Sequence, residues 1–346
     1  MEKFKNFLKR KDIEFSVKRY LQDALSAMAL GLFASLLIGL IIKTIGEQAA
    51  NLVGESAVTG FLIESGQTAM GLMGAAVGVA VAWGLKSPPF VLFSSAITGM
   101  MGAALGGPAG AFLATALGAE FGKAVSKETK VDLIVTPAVT ILVGQLAAIA
   151  FGPAVNALMV GLGKIIMTAT EMQPFVFGII VSVIVGLALT APISSAALCI
   201  MLDLSGLAAG AATAGCCAQM IGFAVISYRD NGVGGLVAQG IGTSMLQISN
   251  IIKNPWILVP PTLAAAITGP VSTVIFGMTN IPAGAGMGTS GLVGQIGTLT
   301  DMGFSGTVFA EIALVHIVLP ALLSVIIDRV LRKAGKIHDG DYKLSL

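Results

Sequence analysis

Residues 277–298 read GMTNIPAGAGMGTSGLVGQIGT and lie between two stretches, 255–276 and 305–327, that are apolar enough to cross a bilayer. A run this rich in Gly, Thr, Ser, Asn and Gln does not hold a regular helix against lipid. Its free N–H and C=O groups would go unsatisfied in hydrocarbon. Such backbone survives at membrane depth only where it is buried in protein or lines a watery cavity. Polar, broken backbone between spans marks a permeation or binding path. The stretch predicts an all-α polytopic membrane protein with a polar re-entrant loop that handles a small polar solute.

Composition supports that class. Apolar residues make up 55% of the chain, charged residues 11%, and the mean hydropathy is +0.91, whereas a soluble domain carries roughly 25% charged residues. Glycine occurs 44 times in 346 residues, a frequency suited to close helix approach and to broken helices. Cys199, Cys216 and Cys217 sit in apolar segments without metal-ligand spacing and read as small core residues. There is no Ser/His/Asp set, no paired Cys/His cluster and no basic stripe interleaved with aromatics. Catalytic residues, metal sites, cofactors and nucleic-acid binding are therefore all expected to be absent. The basic N-terminus runs into Ala24–Ile42, which is too long for a signal core and ends without a small-residue cleavage site.

Charge sets the orientation. Lys3, Lys5, Lys9, Arg10, Lys11, Lys18 and Arg19 precede the first apolar stretch, and Arg329, Arg332, Lys333, Lys336 and Lys343 follow the last. Lys123, Lys127 and Lys130 form a third cluster, and Arg229 and Lys253 flank a fourth loop. The positive-inside rule predicts that all face the cytoplasm, with both termini inside. Glu47, Glu55 and Glu64 meet no Lys or Arg after the first span, as on an outer face. Residues 1–22 interleave Phe7, Leu8, Ile13, Phe15 and Tyr20 with the basic residues. They read either as a helix on an anionic leaflet or as a plain positive-inside tail.

Along the chain, spans are expected at 23–45, 67–85, 131–151, 174–190, 255–276 and 305–327. Residues 90–118 are apolar, broken at Gly106-Gly107-Pro108, and bounded by positive loops, so they read as a hairpin with its tip there. Residues 195–226 read as a second hairpin with its tip near Ala214–Cys217. The count is about ten helices: six crossings and two hairpins. The order of elements repeats. Both hairpins are followed by a polar inner loop and then a Lys-initiated span, KVDLIVTPAV and KNPWILVPPT, which closes at Phe151-Gly152 or Phe276-Gly277. This predicts two pseudo-repeats, 23–170 and 171–328, with a cytoplasmic tail at 329–346, and a site where two such repeats meet. Gly152–Thr170 is then the first-half counterpart of the polar loop.

The loop offers Thr279, Asn280, Thr289, Ser290 and Gln295, and free amides of its glycines, for recognising hydroxyl groups. A packing loop without ligand is the alternative. GAGMGTSG resembles a phosphate-binding glycine loop only superficially, with no strand before it and no Lys after. Glu311 lies ten residues past Asp301, roughly 15 Å into the last span, where an acid is costly and functional by default. It is the candidate for proton coupling or solute binding, with His316 as a second titrating group. Asp203 reads as a ligand or a helix cap, and Thr190 and Ser194 around Pro192 as ligands or as partners of a broken helix. Gln145 and Gln219 read as glue between helices.

MALGLFASLLIGLIIKTIG (Met28–Gly46) and TNIPAGAGMGTSGLVG (Thr279–Gly294) resemble the membrane-component family of the pfoR type, which is grouped with the enzyme IIC sugar permeases of the bacterial phosphotransferase system. The resemblance covers nearly the whole chain. It implies a bacterial inner-membrane permease or sensor for a sugar-like solute, a homodimer of about ten helices per chain. Glucose-type IIC proteins carry Gly-x-Thr-Glu, with the Glu on the sugar. Here the tetrapeptide is Gly277-Met278-Thr279-Asn280, an amide in place of the acid, and the inner loop 229–253 has no His. No IIA or IIB domain is legible, so phosphoryl transfer is expected to need separate partner proteins. The alternative is a membrane sensor that binds a solute and signals to a cytoplasmic partner.

Overall fold

The computed structural model describes residues 2–191 and 194–344. Pro192 therefore lies outside the described residues. Among them the only β pairing is an isolated antiparallel bridge, Gly206 with Asn280. Among the described residues six helices are long and apolar enough to cross a membrane, and a bent pair makes a seventh. The chain is an all-α polytopic membrane protein. It divides into two compact units, Met1–Gly161 and Leu162–Leu346.

The first unit holds α1 (Glu2–Arg10), α2 (Lys18–Val53), α3 (Ala57–Gly71), α4 (Met73–Gly84), α5 (Pro89–Val125) and α6 (Asp132–Met172) as far as Gly161. Gly54, at φ 88°, ends α2 in a backbone region that favours glycine. Ser56 then starts α3 with a reciprocal cap. Its hydroxyl accepts the Thr59 N–H (3.2 Å) and its own N–H donates to Thr59 Oγ1 (2.8 Å). A 49° bend separates α3 from α4, so the second span begins earlier than its apolar stretch suggests.

The hairpin expected at 90–118 is α5. Gly107 leaves helical geometry (φ 58°) just before Pro108. The two arms then face each other, with Thr98 donating to Thr115 (3.3 Å). A Cβ on Gly102 would come within 2.4 Å of Gly110 O. The expected stop at Gly152-Pro153 does not occur, because α6 continues through it to Met172. Gly152 packs against Gly106, and a Cβ on Gly106 would lie 2.9 Å from Gly152 Cα. A helix end at Pro is optional where neighbours accommodate the freed backbone. Residues 154–170 are thus helix, not a broken counterpart of the polar loop.

The second unit runs from Leu162 through α7 (Pro174–Thr190), α8 (Ser195–Met201), α9 (Gly206–Ile226), α10 (Tyr228–Val237), α11 (Ile248–Lys253), α12 (Pro255–Ile275), α13 (Pro282–Ala285), α14 (Val293–Met302) and α15 (Gly306–Lys333). The second hairpin turns at Leu202–Ser205, with Asp203 (φ 53°) and Gly206 (φ 63°) in left-handed backbone. The tip expected near Ala214–Cys217 is instead the middle of α9. Its small residues serve contact, not bending. α9 is the central, almost wholly buried helix. α7 packs on it where a Gly186 Cβ would meet Gly215 O at 2.8 Å, and α12 packs on α7 at Gly178 and Gly269.

The stretch after α15 folds back on α10 and α11. Asn231 donates to Tyr342 O (2.8 Å) and accepts from the Leu344 N–H (2.8 Å). Gln247 and Asn250 donate to the carbonyls of Tyr342 and Lys343, each at 3.0 Å. Tyr342 is fully buried, edge-on to Phe223, and its phenol donates to Asp328 Oδ1 at 2.7 Å. Burial, and then the Asp328 bond, push that phenol far above its ordinary range. A raised folded-state pKa means its contribution is full below about pH 10, the unfolded value, and fades only above it. Tyr342→Phe is expected to cost about 1–3 kcal/mol by orphaning a buried carboxylate oxygen. The thermal midpoint in detergent measures this, and an unchanged midpoint would show that the phenol–Asp328 bond contributes nothing to holding this C-terminal strap.

Candidate solute site

The segment 277–298 is broken backbone, and most of it is buried inside the second unit. It leaves α12 through Gly277 (φ 57°), and the Met278 N–H returns to Ser272 O at 2.8 Å. The bridge then pairs Gly206 N–H with Asn280 O (3.1 Å) and Asn280 N–H with Gly206 O (3.3 Å). Gly210 lets α9 approach here, since a Cβ on it would lie 2.0 Å from Met278 O. After α13, Ser195 donates to Gly286 O (2.7 Å), and Gly288 (φ 54°) lies on the backbone of Cys216 and Cys217. Gly291 and Leu292 turn the chain in consecutive left-handed conformations into α14. Buried partners thus supply what lipid could not.

Asn280 is wholly buried. Its Nδ2 donates to Thr213 Oγ1 (2.7 Å) and Gly294 O (3.0 Å), and its Oδ1 accepts the Ile281 N–H (2.8 Å). The Ile281 donor fixes the amide orientation. Asn280 thus holds the frame of the loop.

Gln295 is buried and donates toward Cys217 Sγ and His316 Nδ1, both at 3.3 Å. Among the described residues its Oε1 has no partner, nor has Nε2 of His316, which is 0% exposed. Glu311 also has a buried, unpartnered Oε2. Buried polar groups are normally bonded, so these three atoms require an explanation. Glu311 lies on the face of α15 that buries Val308, Ile312 and Val315. At 3.6 residues per turn, five residues would set His316 about 140° away. The π turn Ala313–Val318 begins two residues after Glu311 and narrows that separation, and such turns recur at functional sites.

Thr289 is buried with its hydroxyl on Met220 Sδ (3.6 Å), and Ser290 is half-buried at the same turn. Thr279 is half-buried and its N–H meets Met302 Sδ (3.4 Å). Thr190 joins a separate buried network. It bonds Ser244 (2.8 Å) and Gln219 Oε1 (3.2 Å), and Gln219 donates to Thr262 (3.1 Å). Ser194 caps α8 through the Ala197 N–H (3.1 Å), and Asp203 is exposed at its turn. Asn280, Gln295 and His316 therefore gather around α9 with Thr289, while Asp203 and Ser194 have local roles. Thr213, Ser244 and Thr262 were not singled out by sequence. Isolated hydroxyls in apolar helices were the available signal.

Apolar spans around a buried, broken polar segment define a polytopic α-helical membrane transport component. The chain belongs to the phosphotransferase system EIIC family, whose match covers residues 22–344. It is a membrane permease component of a sugar phosphotransferase system. No curated protein matches the chain.

Proposed function

We propose that the second unit binds a small, sugar-like solute at Gln295, His316 and Glu311, with Asn280 and Thr289 holding the loop that frames them. The observation that carries this reading is that Gln295 and His316, in contact at 3.3 Å, each keep a buried polar atom without a partner among the described residues, as Glu311 does on the same helix as His316. A ring hydroxyl both donates and accepts, so it answers an amide oxygen and an imidazole nitrogen together. Thr190, with Gln219 and Ser244, is proposed to line the path rather than the site. Thr279, Ser290, Ser194 and Asp203 remain secondary candidates. The charge distribution supports an orientation with both termini cytoplasmic, and the family supports a bacterial inner-membrane location and a homodimer.

Phosphoryl transfer would come from separate IIA and IIB proteins. Uptake of radiolabelled sugar into vesicles tests this reading. Accumulation that requires phosphoenolpyruvate and the soluble phosphotransferase proteins supports it. Uptake without them would make the chain a facilitator or proton-linked carrier, and binding without uptake would make it a sensor. If protons are coupled, Glu311→Gln is expected to flatten the pH profile of uptake, because an amide does not titrate. An unaltered profile would remove Glu311 from that role.

A further inference from the structure

The first unit carries two adjoining cavities that the solute reading does not use. One, about 380 Å³, is lined by Arg10, Lys11, Lys86, Lys123 and Lys127, with two carboxylates, Asp12 and Glu128. The other, about 520 Å³, is lined by apolar side chains apart from Tyr20 and Glu120, which bond to each other at 3.2 Å; among the apolar ones are Phe7, Leu8 and Ile13 of the N-terminal segment and Phe112, Leu117 and Phe121 of α5. The same short segment walls both. Residues 7, 8 and 13 face the apolar groove, and residues 10 to 12 face the basic pocket. Phe7 lies at the junction, with the Arg10 guanidinium 5.6 Å and the Lys11 ammonium 5.9 Å from its ring centroid.

We propose that these cavities together bind one anionic glycerophospholipid, its phosphate in the basic pocket and an acyl chain in the groove. Charge complementarity selects the headgroup, since five cations face two carboxylates. The groove selects a lipid over a free anion, because a soluble phosphate leaves it empty.

The cations are unequally committed. Lys123 Nζ donates to Asp12 O (2.8 Å) and Leu85 O (3.0 Å) and pairs with Glu120 (3.0 Å), so it ties the segment to α5. Arg10 (2.7 Å) and Lys11 both bind Glu128. Lys86 and Lys127 make no ion pair among the described residues, and both hold left-handed backbone (φ 57° and 59°) at the pocket wall. The hydrogen bond from Lys11, and then the charge of Arg10, hold the Glu128 carboxyl below its usual range. Glu128 therefore stays ionised and competes with an incoming phosphate for Arg10 and Lys11.

The test uses the full chain, delipidated in neutral detergent, with lipid retention read by native mass spectrometry and the thermal midpoint read in parallel. Probes are phosphatidylglycerol, phosphatidylcholine and inorganic phosphate. Phosphatidylglycerol is expected to bind and raise the midpoint, and the other two to do neither. The Lys86→Gln/Lys127→Gln pair, whose side chains hold no structural bond, is expected to weaken phosphatidylglycerol binding at least tenfold. Glu128→Gln is expected to strengthen it, a gain that general loss of folding cannot mimic. An equal response to phosphatidylcholine would overturn the proposal. So would an equal response to inorganic phosphate, which would make the pocket a free-anion site. Binding unchanged in both variants would overturn it as well.

Discussion

Gly215→Val is expected to leave no monodisperse protein in detergent. A Cβ at this position would lie 1.9 Å from Ser182 O and 2.5 Å from Ser182 C, both backbone atoms of α7. No rotamer relieves a clash with backbone, so α7 and α9 would have to separate. Overpacking a core commonly costs about 1–3 kcal/mol. Here the displaced helix also donates Ser182 Oγ to Ala265 O (2.8 Å) on α12, so the strain spreads through three helices. Because a backbone atom at 1.9 Å gives way only if the helices part, the cost here exceeds that range and approaches the total stability of about 5–15 kcal/mol. Gly60→Val is the control, since a Cβ there meets nothing within 4 Å. Size-exclusion profiles of the two variants measure the difference. A monodisperse Gly215→Val protein would contradict the helix packing described for the second unit.

Asn280→Asp is expected to destabilise the second unit by about 3 kcal/mol or more, although the two side chains have the same shape. The amide donates to Gly294 O at 3.0 Å while its oxygen takes the Ile281 N–H at 2.8 Å. A carboxylate would set an oxygen against the Gly294 carbonyl in a wholly buried position. This also gives a physical reason for the departure from Gly-x-Thr-Glu, because the frame around position 280 asks for a donor. The thermal midpoint of the variant, without added sugar, measures the cost. A midpoint equal to that of the unaltered protein would remove Asn280 from the frame.

Much of the architecture was legible in the sequence because membrane crossing leaves a strong apolar signal. The break at Gly106–Pro108 was legible because two glycines and a proline leave a helical segment little to hold it. Gly152-Pro153 carries almost the same letters yet lies within a helix. The difference is tertiary, since Gly106 offers Gly152 a close backbone contact that the local sequence does not encode. At Ala214–Cys217 small residues suggested a bend, whereas they mark where α7 and the polar loop press on α9. The polar loop itself stood out as polar residues between spans. Its partners did not. Thr213 and Cys217 lie far away in an apolar helix and show no pattern until the fold brings them to Asn280 and Gln295. The docking of the C-terminal strap was equally hidden, because amides bonding to main-chain carbonyls leave no periodic trace.

The most direct test of the account is sugar-induced thermal stabilisation of the purified protein, compared with the double variant Gln295→Met/His316→Phe. Replacing both partners of a buried polar pair by apolar groups of similar shape is nearly neutral or stabilising. The double variant is therefore expected to keep or raise its midpoint without sugar. A bound sugar at a hundred times its Kd adds about 2.7 kcal/mol to apparent stability. A solute site at Gln295 and His316 predicts that one member of a hexose, hexitol and disaccharide panel gives this response in the unaltered protein and none in the double variant. An undiminished response in the double variant would contradict it and move the solute away from Gln295 and His316.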